Sequence, residues 1–358
     1  MTKHMRFALV MAALVVGLYL SAAVAVSVGT SGLGFRDAAK ALLGRAVSPT
    51  AAAIISLRLS RVALAMVVGA SLGAAGVALQ ALLRNPLADP YILGVSGGGA
   101  LGAAIYLTLT SSGMAAFAAF ERWGFSGLTL AAFAGSLLAS AVVLFAGRKG
   151  GHILPGTLLL VGVMVNAISG AAIMALTYLT DVAQSHNIVV WLMGNLGTLS
   201  LTRGALAAAA VVAVFFICGL WTVGGRLNLM SLGDEAAAHL GVNVGRTRLV
   251  SFVLSALVTG LSVALAGPIG FVGLVVPHIT RVFVGADHRL LFPAAAVFGA
   301  TFLVLADAAA RAAFLVFSNP AAPEARPGME LPVGILTAAI GGPFFIWLLR
   351  TRRARYFE

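Results

Sequence analysis

Gln80-Ala-Leu-Leu-Arg84-Asn85-Pro86-Leu-Ala-Asp89-Pro90, continuing as Tyr-Ile-Leu-Gly94-Val-Ser96-Gly97-Gly98-Gly99, separates two apolar runs. Its prolines remove backbone donors, and Asn85 and Asp89 favour turns and caps over helix interiors. Each flanking run is about 20 residues, long enough to cross the hydrocarbon of a bilayer. One helix therefore ends before Arg84 and another begins after Asp89. The turn between them is built to meet something polar.

Composition identifies the solvent. Hydrophobic residues make up 60% of the 358 and charged residues only 9%, where a soluble domain carries about 25% charged residues. Mean hydropathy is +1.03. Apolar runs recur along the whole chain, and alternating segments of about ten residues, the mark of a membrane barrel, do not occur. The expected class is an all-α polytopic membrane protein. Cys218 is the single cysteine, which excludes an intrachain disulfide and a thiolate metal site. The net charge of +12 invites a nucleic-acid reading, but in a membrane chain the placement of the cations is the better test.

Ten spans are expected, near 7–28, 62–83, 92–111, 127–146, 154–178, 204–222, 249–267, 271–285, 291–315 and 332–349. With both termini cytoplasmic, the inner segments hold Lys3, Arg6, Arg84, Arg148, Lys149, Arg226, Arg246, Arg248, Arg281, Arg289 and the terminal Arg350-Thr-Arg-Arg-Ala-Arg355. The positive-inside rule favours this orientation. The N-terminus has the basic start of a signal peptide and an Ala23-Val24-Ala25 site, but its apolar run is too long for one, so a retained first span is expected. Outer cations concentrate in residues 29–61. Arg58 and Arg61, three apart, share one helical face. They either snorkel to lipid phosphates or dock an acidic extracytoplasmic partner.

Several short motifs mimic chemistry. Gly97-Gly98-Gly99-Ala-Leu-Gly102 fits a dinucleotide fingerprint but follows no strand and has no acidic residue about 20 positions on. Glycines so spaced let membrane helices approach closely. Gly69-Ala-Ser71-Leu-Gly73 and Gly94-Val-Ser96-Gly97-Gly98 fit a nucleophile elbow without its strand–turn–helix setting. The six histidines show no metal-ligand spacing. No catalytic or metal site is expected. The chain also has no Gly-x-x-x-x-Gly-Lys-Ser/Thr, so any ATP it uses is bound by another subunit.

The longest inner loop is 226–246. Within it, Ser231 or Asp234 is expected to cap a short helix that Gly241 stops. That helix is too short to span. It lies on the membrane or fits a groove on a cytoplasmic motor. Glu235-Ala-Ala-x-x-x-Gly241 resembles the EAA loop of ABC importer permeases.

The resemblance then becomes broad. The chain is similar to the permease subunit of type II ABC importers, the family that carries iron–siderophore chelates, haem and vitamin B12. The matching segments are Leu57-Arg58-Leu-Ser-Arg61, Gln80 through Gly99, Leu158-Leu-Leu-Val-Gly162, Trp191-Leu-Met-Gly194, Leu232 through Gly241, Gly267-Pro-Ile-Gly-Phe-Val-Gly-Leu-Val-Val-Pro277-His278, Ala306-Asp307 through Arg311, and Glu330-Leu-Pro332-Val-Gly334 through Gly342-Pro343.

The resemblance implies a single transmembrane domain over residues 1–358 with ten spans per subunit, in the bacterial inner membrane. It implies a homodimer with a central translocation path, and inverted repeats near 62–178 and 249–349. Its partners would be a second copy of the chain, two cytoplasmic ATP-binding subunits holding ATP and Mg, and an extracytoplasmic substrate-binding protein. The chain itself would bind no cofactor and no nucleic acid. Arg58, Arg61 and Arg311 would dock the binding protein. Leu232, Gly233, Asp234, Glu235, Ala236, His239, Leu240 and Gly241 would couple to the ATPase. Leu154-Pro155-Gly156-Thr157 matches the cytoplasmic gate, though it is more apolar than the family pattern. A Pro-rich stretch at 317–331 departs from the family and is expected to be an outer loop. Asp307 lies four residues before Arg311, the spacing of a helical ion pair. The competing function is an ion-gradient-driven secondary transporter, which usually places ionisable residues mid-span.

Overall fold

The structure, a computed structural model, describes residues 3–28, 48–111, 125–150, 152–197, 201–317 and 330–356. The outer cations Arg36, Lys40 and Arg45, and most of the 317–331 stretch with Arg326, lie outside the described residues. The described chain is helical: α1 (Lys3–Ser27), α2 (Pro49–Leu82), a 3-10 turn (Pro90–Leu93), α3 (Val95–Ser111), α4 (Gly127–Ala146), α5 (Pro155–Leu179), α6 (Val182–Leu192), α7 (Arg203–Met230), α8 (Asp234–His239), α9 (Val244–Ala266), α10 (Val272–Val284), α11 (His288–Phe317) and α12 (Val333–Tyr356). Between α4 and α5 sits an antiparallel hairpin of two-residue strands, β1 (Arg148–Lys149) and β2 (His152–Ile153), with Arg148 opposite Ile153. Among the described residues, eight helices are long and apolar enough to cross a membrane. Two shorter apolar helices, α3 and α10, occupy the positions of the third and eighth expected spans.

Two helix boundaries and one additional helix stand out from expectation. α2 starts at Pro49 rather than near 62, because Ser48 caps it and Pro49 fits its first turn. Arg58 and Arg61 therefore lie inside the helix, Arg58 bonded to backbone carbonyls of α1 and Arg61 paired with distant carboxylates. At 34 residues α2 is about 51 Å long, well beyond the roughly 30 Å of hydrocarbon. α7 runs to Met230, well past 222. The region after α5, read as connecting segment, holds an additional helix, α6, capped by Asp181 onto the Gln184 amide at 2.8 Å.

α2 is the central element. It meets α11 and α10 through glycines: a Cβ on Gly69 would lie 2.2 Å from the Gly299 carbonyl oxygen, and one on Gly76 would lie 2.0 Å from that of Gly273. In a membrane the hydrophobic effect does not draw helices together, so backbone approach of this kind supplies the packing. The glycines after Gly94 act in the same way: Gly98 and Gly102 pack against the carbonyls of Gly135 and Ala131 on α4.

The opening stretch is a sequence of specific turns. Arg84 takes a positive φ of 49°, and Asn85 accepts from the Leu87 amide at 2.9 Å. Asp89 then caps the 3-10 turn through the Tyr91 amide at 2.9 Å, and Gly94 closes it at φ 79°. A second break precedes α10, where Phe271 has φ 68°. The two breaks meet. The Ile269 amide donates to the Tyr91 hydroxyl at 2.8 Å, and the Pro90 ring packs on Gly273. Asn166 on α5 donates to the Tyr91 carbonyl at 2.8 Å and accepts from the Gly97 amide at 3.1 Å. Irregular backbone inside a membrane bundle survives only when its polar groups are satisfied in this way.

Candidate functional site: two polar clusters at opposite ends of the bundle

Arg6 donates to the Val282 carbonyl at 3.5 Å, and Arg281 to Gln80 at 3.3 Å. These residues share the Arg84 end of the bundle. At the other end, 58 and 61 on α2 face 307 and 311 on α11.

This second end holds an ion cluster. Asp307 receives Nε of Arg61 at 3.0 Å and its Nη2 at 2.8 Å, together with Nε of Arg311 at 3.1 Å. Arg61 also pairs with Glu330, just ahead of α12. The helical Asp307–Arg311 pair expected from the spacing is present. The remaining guanidinium nitrogens turn to the C-terminal end of α1, whose last turn contains no cation of its own. Arg58 donates to the Val26 carbonyl at 2.6 Å and Ser27 at 3.3 Å, and Arg311 donates to Ala25 at 2.9 Å and to Val28. A helix leaves its last carbonyls unpaired, and cations suit that negative end.

Arg58, Arg61 and Arg311 are thus gathered in one place, but as interior groups: Arg58 is 8% exposed and Arg311 2%. The Arg61 side chain is 12% exposed, and Glu330 at 24% is the most open member among the four ion-paired groups. Asp307 and Glu330 were not singled out as site residues. The signal for Asp307 was its spacing from Arg311. For Glu330 it was an isolated acid beside the Leu-Pro-Val-Gly segment. Arg203 stands exposed at the same end, bonded to Ser56 at 2.8 Å.

At the Arg84 end, the loop after α7 is short, since α7 absorbs Arg226 through Met230. The structure corrects the expected cap of α8. Ser231 turns back to the Asn228 carbonyl at 2.6 Å, and the N-cap is Gly233 at φ 119° with no side-chain bond. Asp234 is drawn away from capping by two arginines, Arg84 and Arg248. The C-terminus is as expected. Gly241 at φ 82° and Val242 donate to the carbonyls of Ala238 and Ala237 at 2.9 and 3.0 Å, a Schellman closure. α8 stands on buried Ala237 and presents Glu235, Ala236, His239 and Leu240 outward. Leu232 and Leu240, 67% and 59% exposed, flank it.

The 154–157 segment opens α5. Leu154 is its N-cap with no side-chain bond, Pro155 takes the first turn, and Leu154 and Gly156 are exposed. The hairpin holds this start in place through the Leu154 amide on the Gly147 carbonyl at 3.2 Å. A cavity of about 400 Å³ lies where the two backbone breaks meet, between Asp89, Tyr91, Asn166, Phe271 and Phe345.

The sequence pattern of the FecCD transport family matches residues 13–351. The hemin transport system permease protein HmuU of Yersinia pestis is 41% identical over 299 residues, which cover 84% of this chain and 83% of that protein. The cobalamin import system permease protein BtuC of Halobacterium salinarum is 40% identical over 310 residues, covering 86% and 76%. Among solved structures, an inward-facing metal-chelate type ABC transporter matches with a TM-score of 0.75 at 30% identity, over 96% of this chain and 99% of that one.

Proposed function

The chain belongs to the FecCD transport family, and from that membership we propose that it is the permease subunit of an ATP-driven importer for a bulky metal chelate: an iron chelate, haem or cobalamin. It is a multi-pass membrane protein. Two copies would form the path, with two ATPase subunits on the cytoplasmic face and a substrate-binding protein outside. The apolar face of α5 that carries Leu160, Met164 and Ile168 is exposed, leaving room for a second copy beside it.

One observation carries the reading. α8 is a six-residue helix too short to span, closed at both ends by positive-φ glycines, with its outer side exposed. That is the form of a part made to fit a groove on a partner. The nucleotide site then belongs to that partner, and the permease performs no covalent chemistry. Energy enters through the partners' differential affinity for two states of the path.

At the far end, docking would use charge complementarity with acidic groups of the binding protein, which steers encounter. Arg61 is the cluster arginine best placed for it, because its half-buried partner Glu330, the most open of the ion-paired groups, is the one a second carboxylate would replace. Arg58 and Arg311 would act from beneath, holding the rim in shape. The test is uptake by proteoliposomes containing the chain with its cognate ATPase and binding protein. Chelate accumulation that requires ATP supports the proposal. Accumulation by the chain alone under an ion gradient would overturn it in favour of a secondary carrier.

A further inference from the structure

Asp234, the first residue of α8, is held from two directions. Arg84, from the turn after α2, reaches its Oδ1, and the same nitrogen donates to the Met230 carbonyl at 2.9 Å. Arg248, near the start of α9, gives Nη2 to Oδ2 of Asp234 at 2.6 Å and Nη1 to the Ile153 carbonyl at 3.3 Å. Ile153 ends β2, and the next residues are Leu154 through Thr157 at the head of α5. One planar guanidinium therefore joins the first residue of α8 to the strand that leads into α5. Its two ends are unlike. Ile153 is buried and the Arg248 side chain is 12% exposed, whereas Asp234 is 40% exposed and sits at the face a partner would touch.

We infer that Arg248 is a positioning residue that transmits displacement of α8 to the start of α5. The inference rests on α8 being the motor-facing element. α8 is set between Gly233 and Gly241, so it moves as a unit with a swivel at each end. Asp234 moves with it. Because the guanidinium fork is rigid, a shift of its Asp234 side shifts its Ile153 side as well, and β2 and Leu154 follow. A lysine keeps the charge but offers a single ammonium point, which cannot hold carboxylate and carbonyl in one fixed geometry. Arg84 ties the same carboxylate to the α2–α3 turn, so a single acid addresses both connections at this end of the bundle.

The experiment uses the chain assembled with its ATPase in lipid nanodiscs, in a Cys218→Ser background with Gly156→Cys as reporter. Gly156 is exposed, and a Cβ there meets nothing within 4 Å. The readout is the maleimide labelling rate of the reporter with and without ATP plus vanadate. With Arg248 present, trapping should change the rate several-fold. In Arg248→Lys the change should disappear while the ATPase still co-purifies. Asp234→Asn, which releases both Arg248 and Arg84, should lose it as well, and the double variant should be no worse than Asp234→Asn alone, because that variant has already cut the Arg248 connection. An undiminished response in Arg248→Lys and Asp234→Asn overturns the relay and leaves the motor-facing reading intact. No nucleotide response with Arg248 present also overturns the relay, and failure of the ATPase to co-purify when α8 is altered at neither arginine contact is what would overturn the motor-facing reading.

Discussion

Arg61 and Asp307, 246 residues apart in sequence, are joined by guanidinium–carboxylate contacts of 2.8 and 3.0 Å that pin α2 to α11. Asp307 is 1% exposed and serves Arg311 as well. Removing one member of a buried pair leaves the other charge uncompensated, at a cost of about 3–5 kcal/mol. Asp307→Asn is therefore expected to lower the melting temperature of the purified protein clearly. A melt matching that of the unsubstituted chain would show that the cluster contributes no stability.

Glu330 is more open than Asp307, and its loss should be milder, within about 1 kcal/mol. Its effect should appear in association instead. Glu330→Gln frees Arg61 for an acidic partner, so affinity for the binding protein should rise at low salt, and Arg61→Ala should lower it. Titration of the two variants at low and high ionic strength distinguishes them. Equal affinities throughout would remove Arg61 from the docking surface.

Gly241 needs its conformation rather than its space. A Cβ there meets nothing within 4 Å, but its φ is 82°, which costs an L-residue about 1–2 kcal/mol. Gly241→Ala should fray α8 and reduce ATP-driven uptake more than ATP hydrolysis. Gly241→Asn, which tolerates the left-handed region, should recover most of the uptake. Uptake in the alanine variant equal to that of the parent chain would count against the coupling role of this closure.

Gly76 presents the opposite case. Its Cβ would lie 2.0 Å from backbone of Gly273, whereas Gly170 on α5 has nothing within 4 Å. Gly76→Ala should force α2 and α10 apart and yield little monodisperse protein on size-exclusion chromatography. Gly170→Ala should elute like the parent. Similar profiles for both would contradict the close packing of α2 on α10.

The spans were legible because uninterrupted apolar length is a local property, and α3 and α10 lie where their runs predicted. The early start of α2 was hidden. Arg58 and Arg61 read as a helix start just ahead of the apolar run at 62–83, and the groups that neutralise them or accept their hydrogen bonds lie on α1 and α11 and beside α12. α6 was missed because Asp181-Val-Ala-Gln-Ser-His reads as polar connection. Its Gln184 reaches the Leu107 carbonyl on α3, a contact only the fold supplies. Gly241 could be read as a stop signal, since glycine at a helix end carries its own reason. Asp234 could not be read correctly, because the choice between capping α8 and pairing with Arg84, 150 residues away, is made by tertiary structure.

The clasp on α1 also bears on the order in which the protein is built. Most of α1 faces outward, and its last carbonyls are held by Arg58 and Arg311. Arg58 leaves the ribosome soon after α1, but Arg311 follows Ala25 by 286 residues, roughly a quarter of a minute to a minute of synthesis. The first helix therefore waits in the membrane half-fastened while nearly all the others are inserted. The arrival of α11 completes that hold, so α1 is fully fastened only long after it is made.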